Sequence, residues 1–188
     1  MLVMILGLVI FLGAHSVRIF ADDWRGAQIA RFGEGGWKAI YAAVSILGLI
    51  IAIYGYGMTR IDAVFVWFPP RGLYHLTALL MIPAFILLAA AYVPRNHIKA
   101  KLGHPMVLAV KVWALSHLLV NGRLGDIIFF GAFLVWAVLL FRVSRRRPAP
   151  DVAPTAVGTV TTVVVGLVAY LVFAFYLHRI VAGVSVMG

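Results

Sequence analysis

Apolar positions along this chain gather into six long runs broken by short polar stretches. The runs are Leu2–Phe20, Lys38–Gly57, Leu73–Val93, Pro105–Val120, Asp126–Val143 and Ala156–Leu177. A helix needs about 20 mostly apolar residues to cross a hydrocarbon core of about 30 Å. Four runs meet that length. The fourth and fifth hold only 16 and 18 residues, and Lys111 interrupts the fourth. A water-soluble bundle built from such runs would have no polar face to turn outward. The pattern therefore predicts an all-α polytopic membrane protein, a bundle of six transmembrane helices forming one domain over residues 1–188.

The connections are short. The longest, about Ala21–Trp37, is expected to be a loop with a turn at Gly33, Gly35 and Gly36, where glycine supplies geometry other residues resist. Arg145–Pro154 holds three arginines in a row and three prolines, and reads as a flexible cytoplasmic connection. Trp67 and Phe68, before Pro69 and Pro70, suit an outer loop at headgroup level. Pro83 should kink the third helix. Gly13 suits close helix packing or, less commonly, the approach of a flat ligand. The first run lacks a basic start and a small-x-small cleavage site, so it reads as a retained span rather than a signal peptide.

Charge refines the picture without changing it. The net charge of +10 would suggest nucleic acid if it were concentrated on a polar domain, but only 12% of residues are charged and most of them sit between the runs or at their ends. With six alternating spans, eleven basic residues (Arg18, Arg25, Arg31, Lys38, Arg95, Lys99, Lys101, Arg142, Arg145, Arg146, Arg147) share one side. Four (Arg60, Arg71, Arg123, Arg179) share the other. Excess Lys and Arg marks the cytoplasmic side. This predicts a multi-pass protein of the bacterial inner membrane with both termini periplasmic, its basic residues serving topology and lipid headgroups.

Candidate chemistry lies with histidine. Five of the six histidines fall within the runs or at their edges, and a buried imidazole costs free energy unless a hydrogen bond, metal or proton path compensates it. His15 sits toward the cytoplasmic end of the first run, where an interfacial histidine bonded to a carbonyl is an equally good reading. His104 stands just before the fourth run and reads as a cap or as the residue preceding the helix, while His117 near its end is harder to explain that way. Lys111 either snorkels to the headgroups or pairs with an acidic group such as a haem propionate. His75 and His178 read as interfacial residues, and His97 as part of a basic loop. No cysteine is present, which excludes disulfides, thiolate-ligated haem and a cysteine nucleophile. No His-Glu-x-x-His helix or Gly-rich nucleotide loop occurs. Of the six acidic residues only Asp126 reaches the edge of a run, which counts against a proton-driven transporter. A histidine-ligated cofactor, or a site with few polar groups, remains.

The segments Leu12-Gly13-Ala14-His15-Ser16-Val17-Arg18, Arg31-Phe32-Gly33-Glu34 with Lys38-Ala39-Ile40-Tyr41-Ala42-Ala43-Val44-Ser45, and His104-Pro105 followed by Lys111-Val112-Trp113-Ala114-Leu115-Ser116-His117-Leu118-Leu119-Val120-Asn121-Gly122 resemble, in order, the motifs of the NnrU family of bacterial inner-membrane proteins. That resemblance implies a role in nitrogen-oxide metabolism, supporting nitrite and nitric oxide reduction. The family includes a plant 15-cis-zeta-carotene isomerase that uses haem b, and its two haem-ligating histidines match His15 and His117. The cysteine linked there to a ligation switch, three residues before the second histidine, is matched here by Ala114. The resemblance therefore implies the haem more strongly than the isomerisation.

Three readings follow. The first is a membrane haem b protein with His15 and His117 as iron ligands, acting by redox chemistry or by binding a small gaseous ligand, with Arg18 and Lys111 beside the cofactor. The second is a haem-dependent cis–trans isomerase of a carotenoid-like polyene. The third is a non-enzymatic assembly or maturation factor that binds lipid or a partner protein. At about 1.5 Å per residue, His15 and His117 differ in expected depth by roughly 10 Å. His104 is level with His15, and His75 or His178 with His117, which keeps His104 and His75 as alternative cofactor residues.

Overall fold

The computed structural model describes residues 1–146 and 153–186. Its described residues are helical apart from short connections, and they contain no strand beyond one isolated bridge between Phe65 and Arg123. Seven helices follow in order: α1 (Leu2–Phe20), α2 (Asp22–Met58), α3 (Gly72–Tyr92), α4 (His97–Leu102), α5 (Pro105–Leu118), α6 (Leu124–Ser144) and α7 (Ala156–Ala182). Five of them, α1, α2, α3, α6 and α7, are long and apolar enough to cross a membrane. Large apolar side chains stand exposed on them, Leu2 at 83%, Val157 at 77% and Ile180 at 78%, as lipid rather than water would favour.

The count of six spans is not reproduced. α6 gains residues at both ends and reaches 21, whereas α5 has only 14, about 21 Å of helix at 1.5 Å per residue. Pro105 opens α5 at its first turn, and the chain turns at Leu119–Val120. α3 runs through Pro83 unbroken. α7 extends past Leu177 by way of a π-helical turn at Phe173–Leu177. Of the soft Arg145–Pro154 connection, residues 147–152 lie outside the described residues.

The expected loop at Ala21–Trp37 is helix instead. Asp22 and Asp23 stand in its first turn, where the helix dipole favours negative charge. Lys38 donates to Glu34 at 3.0 Å and Arg25 to Asp22 at 3.4 Å, the spacings that support a helix. Gly35 and Gly36 are helical, and only Gly33 departs, at φ 72° and ψ 163°. That conformation belongs essentially to glycine, so α2 consists of an outer segment and a long span joined at one residue.

Backbone contacts divide the chain into two units. The first, Met1–Trp67 with Gly122–Leu140, holds α1, α2 and most of α6. The residues α2 buries, Ser45, Gly48, Ala52 and Gly55, recur at spacings of three and four, a small-residue face on which α1 lies. A Cβ on Gly55 would overlap the Met4 backbone, and one on Gly7 the Ala52 backbone. This is the close approach that drives helix association where lipid is the solvent. The second unit, Phe68–Asn121 with Phe141–Gly188, packs α3 against both α5 and α7. Asn96, only 2% exposed, caps α4 by accepting from Lys99 N–H at 2.7 Å and donates to the carbonyls of Ala90 and Val93 that end α3.

Candidate functional site

His15 lies in α1, half-buried, one turn after Phe11. Its Nδ1–H donates to the Phe11 carbonyl oxygen at 2.7 Å. With Nδ1 protonated, Nε2 carries the ring's lone pair. Aromatic side chains from three helices surround the imidazole, with ring centroids at 4.2 Å for Phe11, 5.1 Å for Tyr41 of α2 and 5.8 Å, edge-on, for Trp136 of α6. The indole N–H of Trp136 is buried with no hydrogen-bond partner among the described residues, an uncommon and costly state for a donor. Gly13 is exposed and has nothing within 4 Å of a Cβ position. Two residues span about 200° of a helix, so Gly13 does not share the face of His15 and makes no close helix packing.

His117, in the second unit, repeats the arrangement. It is half-buried in the last turn of α5, and its Nδ1–H donates to the Trp113 carbonyl oxygen, one turn back, at 2.8 Å. The Trp113 ring lies 5.4 Å away. Each of these two histidines thus has an aromatic residue at i−4 whose carbonyl fixes the tautomer. A metal-ligating histidine is commonly oriented in this way, by an N–H donated to a carbonyl. Ala114, three residues before His117, is fully buried.

The other histidines are engaged differently. His104 precedes α5 without capping it, and its Nε2–H donates to the Ser144 carbonyl at 2.7 Å, tying α5 to the end of α6. His97 is exposed and bonded to the Thr159 hydroxyl at 2.8 Å, and half-buried His178 donates to the Val184 carbonyl at 2.8 Å. His75 is exposed in the first turn of α3. The Lys111 ammonium lies 4.7 Å over the Phe141 ring, a cation–π contact that accounts for a charge within an apolar helix. Arg18 is exposed, one turn beyond His15. No group of three or more His, Cys, Asp or Glu side chains arranged to hold a metal ion occurs among the described residues.

One polar cluster exceeds what the chain pattern suggested. Asp126, 1% exposed in the first turn of α6, accepts from Arg123 Nε at 2.7 Å, from Arg123 Nη2 at 3.1 Å and from the Tyr56 hydroxyl at 2.6 Å. Burial alone would lower the Arg123 pKa, but the hydrogen bond and charge of Asp126 outweigh it and raise the value. Beside the cluster, Val66 N–H donates to the Gly122 carbonyl at 2.8 Å and Leu124 N–H to the Val64 carbonyl at 2.8 Å. The cluster therefore fastens the start of α6 to the end of α2. The Arg123–Asp126 spacing was visible in the sequence. Tyr56, 70 residues away, gave no signal.

No curated protein and no solved structure matches this chain. The model of the NnrU protein family matches residues 3–186, across both units. The chain belongs to the NnrU family.

Proposed function

We propose that this protein is an integral membrane haem b protein in which His15 and His117 are the iron ligands, serving nitrogen-oxide metabolism in the bacterial inner membrane. The observation that carries this reading is the shared state of the two imidazoles. Both donate Nδ1–H to the i−4 carbonyl, which fixes the tautomer and holds the ring in one orientation, as for a metal-ligating histidine. Their chemistry fits the cofactor: neutral imidazole is a natural haem ligand. The unpartnered Trp136 indole beside His15 adds a donor that a polar group arriving there would satisfy. When bound, haem supplies one-electron redox chemistry and binding of small gaseous ligands.

The chain's own residues hold and insulate the site. Phe11, Tyr41 and Trp136 shield the His15 ring. Arg18 offers a counter-charge for an acidic edge of the cofactor. Lys111, engaged with Phe141, would have to leave that ring to meet a propionate. The test is spectroscopic. Protein expressed with ample haem and purified in detergent should show a reduced-minus-oxidised haem b spectrum. If neither bound nor added haem gives one, a non-enzymatic assembly role takes the place of this reading.

A second reading draws on an apolar cleft of the second unit, lined by Phe85, Leu88, Ala89, Tyr92, Val165 and Ala169 of α3 and α7. Such a cleft suits a polyene, as a haem-dependent cis–trans isomerase would require. Turnover of a cis-carotenoid by reduced, haem-loaded protein would favour this reading, and its absence the first.

A further inference from the structure

Aromatic rings form an unbroken row from an exposed edge of the first unit to the candidate haem ligand. Trp24, in the outer segment of α2, is 53% exposed. Its ring stands 5.8 Å from Trp37, Trp37 stacks 6.4 Å from Tyr41, and Tyr41 lies 5.1 Å from His15. Exposure falls along the row, since Trp37, Tyr41 and His15 are all half-buried. Two features of the sequence build it. Trp37 and Tyr41 are one turn apart on the same face of α2. The glycine-only conformation at Gly33 turns the outer segment so that Trp24, thirteen residues earlier, meets Trp37 edge-on. A tryptophan that only anchored the chain at headgroup level would need neither the contact with Trp37 nor the continuation to the histidine.

We infer that Trp24, Trp37 and Tyr41 form a one-electron route between the water-facing surface and the site on His15. Tryptophan and tyrosine are the most readily oxidised of the ring side chains, and each step here spans a single ring contact. Oxidation from the surface removes one electron from Trp24. The vacancy is refilled from Trp37 and then from Tyr41, whose phenol proton passes to water. A one-electron reductant held on His15 would return the electron to Tyr41, which takes a proton back from water, so that the row ends unchanged. The external partner is a one-electron oxidant or reductant that reaches Trp24 from water. The cofactor end of this route rests on the haem reading, but the row itself does not.

The experiment uses the full chain in lipid nanodiscs and a flash-generated ruthenium(III) polypyridyl, a one-electron oxidant confined to water. In haem-free protein, a tyrosyl radical should appear by electron paramagnetic resonance and vanish in Tyr41→Phe. That signal should be lost in Trp37→Phe, which keeps a ring for packing, and should persist in Trp67→Phe, which lies off the row. Gly33→Ala, which displaces Trp24 without altering any ring, should also suppress it. A Tyr41 radical formed equally in Trp37→Phe would overturn the route. In haem-loaded, reduced protein, oxidation of the haem after the flash should be slowed by Trp37→Phe, and an unchanged rate would overturn the connection to His15. If the row conducts while no haem binds, the route stands and the cofactor assignment falls.

Discussion

At the scale of single residues, the two histidines with an aromatic i−4 partner stand apart from the other four. His104 and His97 each spend a ring nitrogen on a tie to a distant group and His178 on the nearby Val184 carbonyl, and His75 is exposed on its helix. His15→Ala and His117→Ala are each expected to abolish or strongly weaken haem binding, measured as haem content and reduced-minus-oxidised absorbance in folded protein, while His97→Ala leaves both intact. If His104→Ala loses haem and His117→Ala keeps it, the ligand pairing is wrong. Asp126 supports a stability prediction of a different kind. Removing one partner of a buried ion pair strands the other, so Asp126→Ala should destabilise the protein by about 3 kcal/mol, seen as a lower Tm. Asp126→Asn, which can still accept a hydrogen bond from Tyr56, should cost less. Equal melting of Asp126→Ala and wild type would show the cluster to be dispensable. The sequence made the histidines legible through their motifs. It could not show that Tyr56 completes the Asp126 site, because that contact depends on α2 and α6 lying side by side.

At the scale of elements, hydrophobic runs located α1 and α3 to within a residue at each end, since a run bounded by charge or proline has little freedom in where it stops. The pattern failed where local side-chain pairs override composition. The stretch before Trp37 contains three glycines and reads as a loop, yet Asp22–Arg25 and Glu34–Lys38 pairs support a helix on either side of Gly33. Composition alone also did not separate a 14-residue helix from a span, because α5, though less apolar than α3 and α6 and interrupted by Lys111, is still an apolar run, and its length decides. Gly33 gives the sharpest test at this scale. Nothing blocks a Cβ there sterically, but its backbone conformation does. Gly33→Ala should therefore cost about 1–3 kcal/mol of strain or straighten α2. Either result should weaken the coupled near-ultraviolet circular dichroism of the Trp24–Trp37 pair. An unaltered spectrum with unaltered Tm would mean that the outer segment does not depend on the glycine.

At the scale of the whole molecule, the question is how the helices thread the bilayer. Five helices have the length and composition to span, while α5, at about 21 Å, falls short of the roughly 30 Å core. The two possibilities differ in topology. If α5 completes a crossing together with the turn that follows it, six crossings return the C-terminus to the side of the N-terminus. If α5 enters and leaves by the same face, five crossings put the termini on opposite sides. The distribution of charge favours six. Eleven basic residues then share the cytoplasmic side against four outside, whereas with five crossings the C-terminal part of the chain, including Arg179, changes sides and the bias is reduced. Arginine and lysine counts over short connections set orientation because their translocation is costly. Reporter fusions at Phe20, Met58, Tyr92, Leu118, Ser144 and Gly188 should therefore alternate so that the C-terminal reporter is active in the periplasm, matching an N-terminal fusion. A cytoplasmic signal at Gly188 with a periplasmic N-terminus would establish α5 as a re-entrant helix.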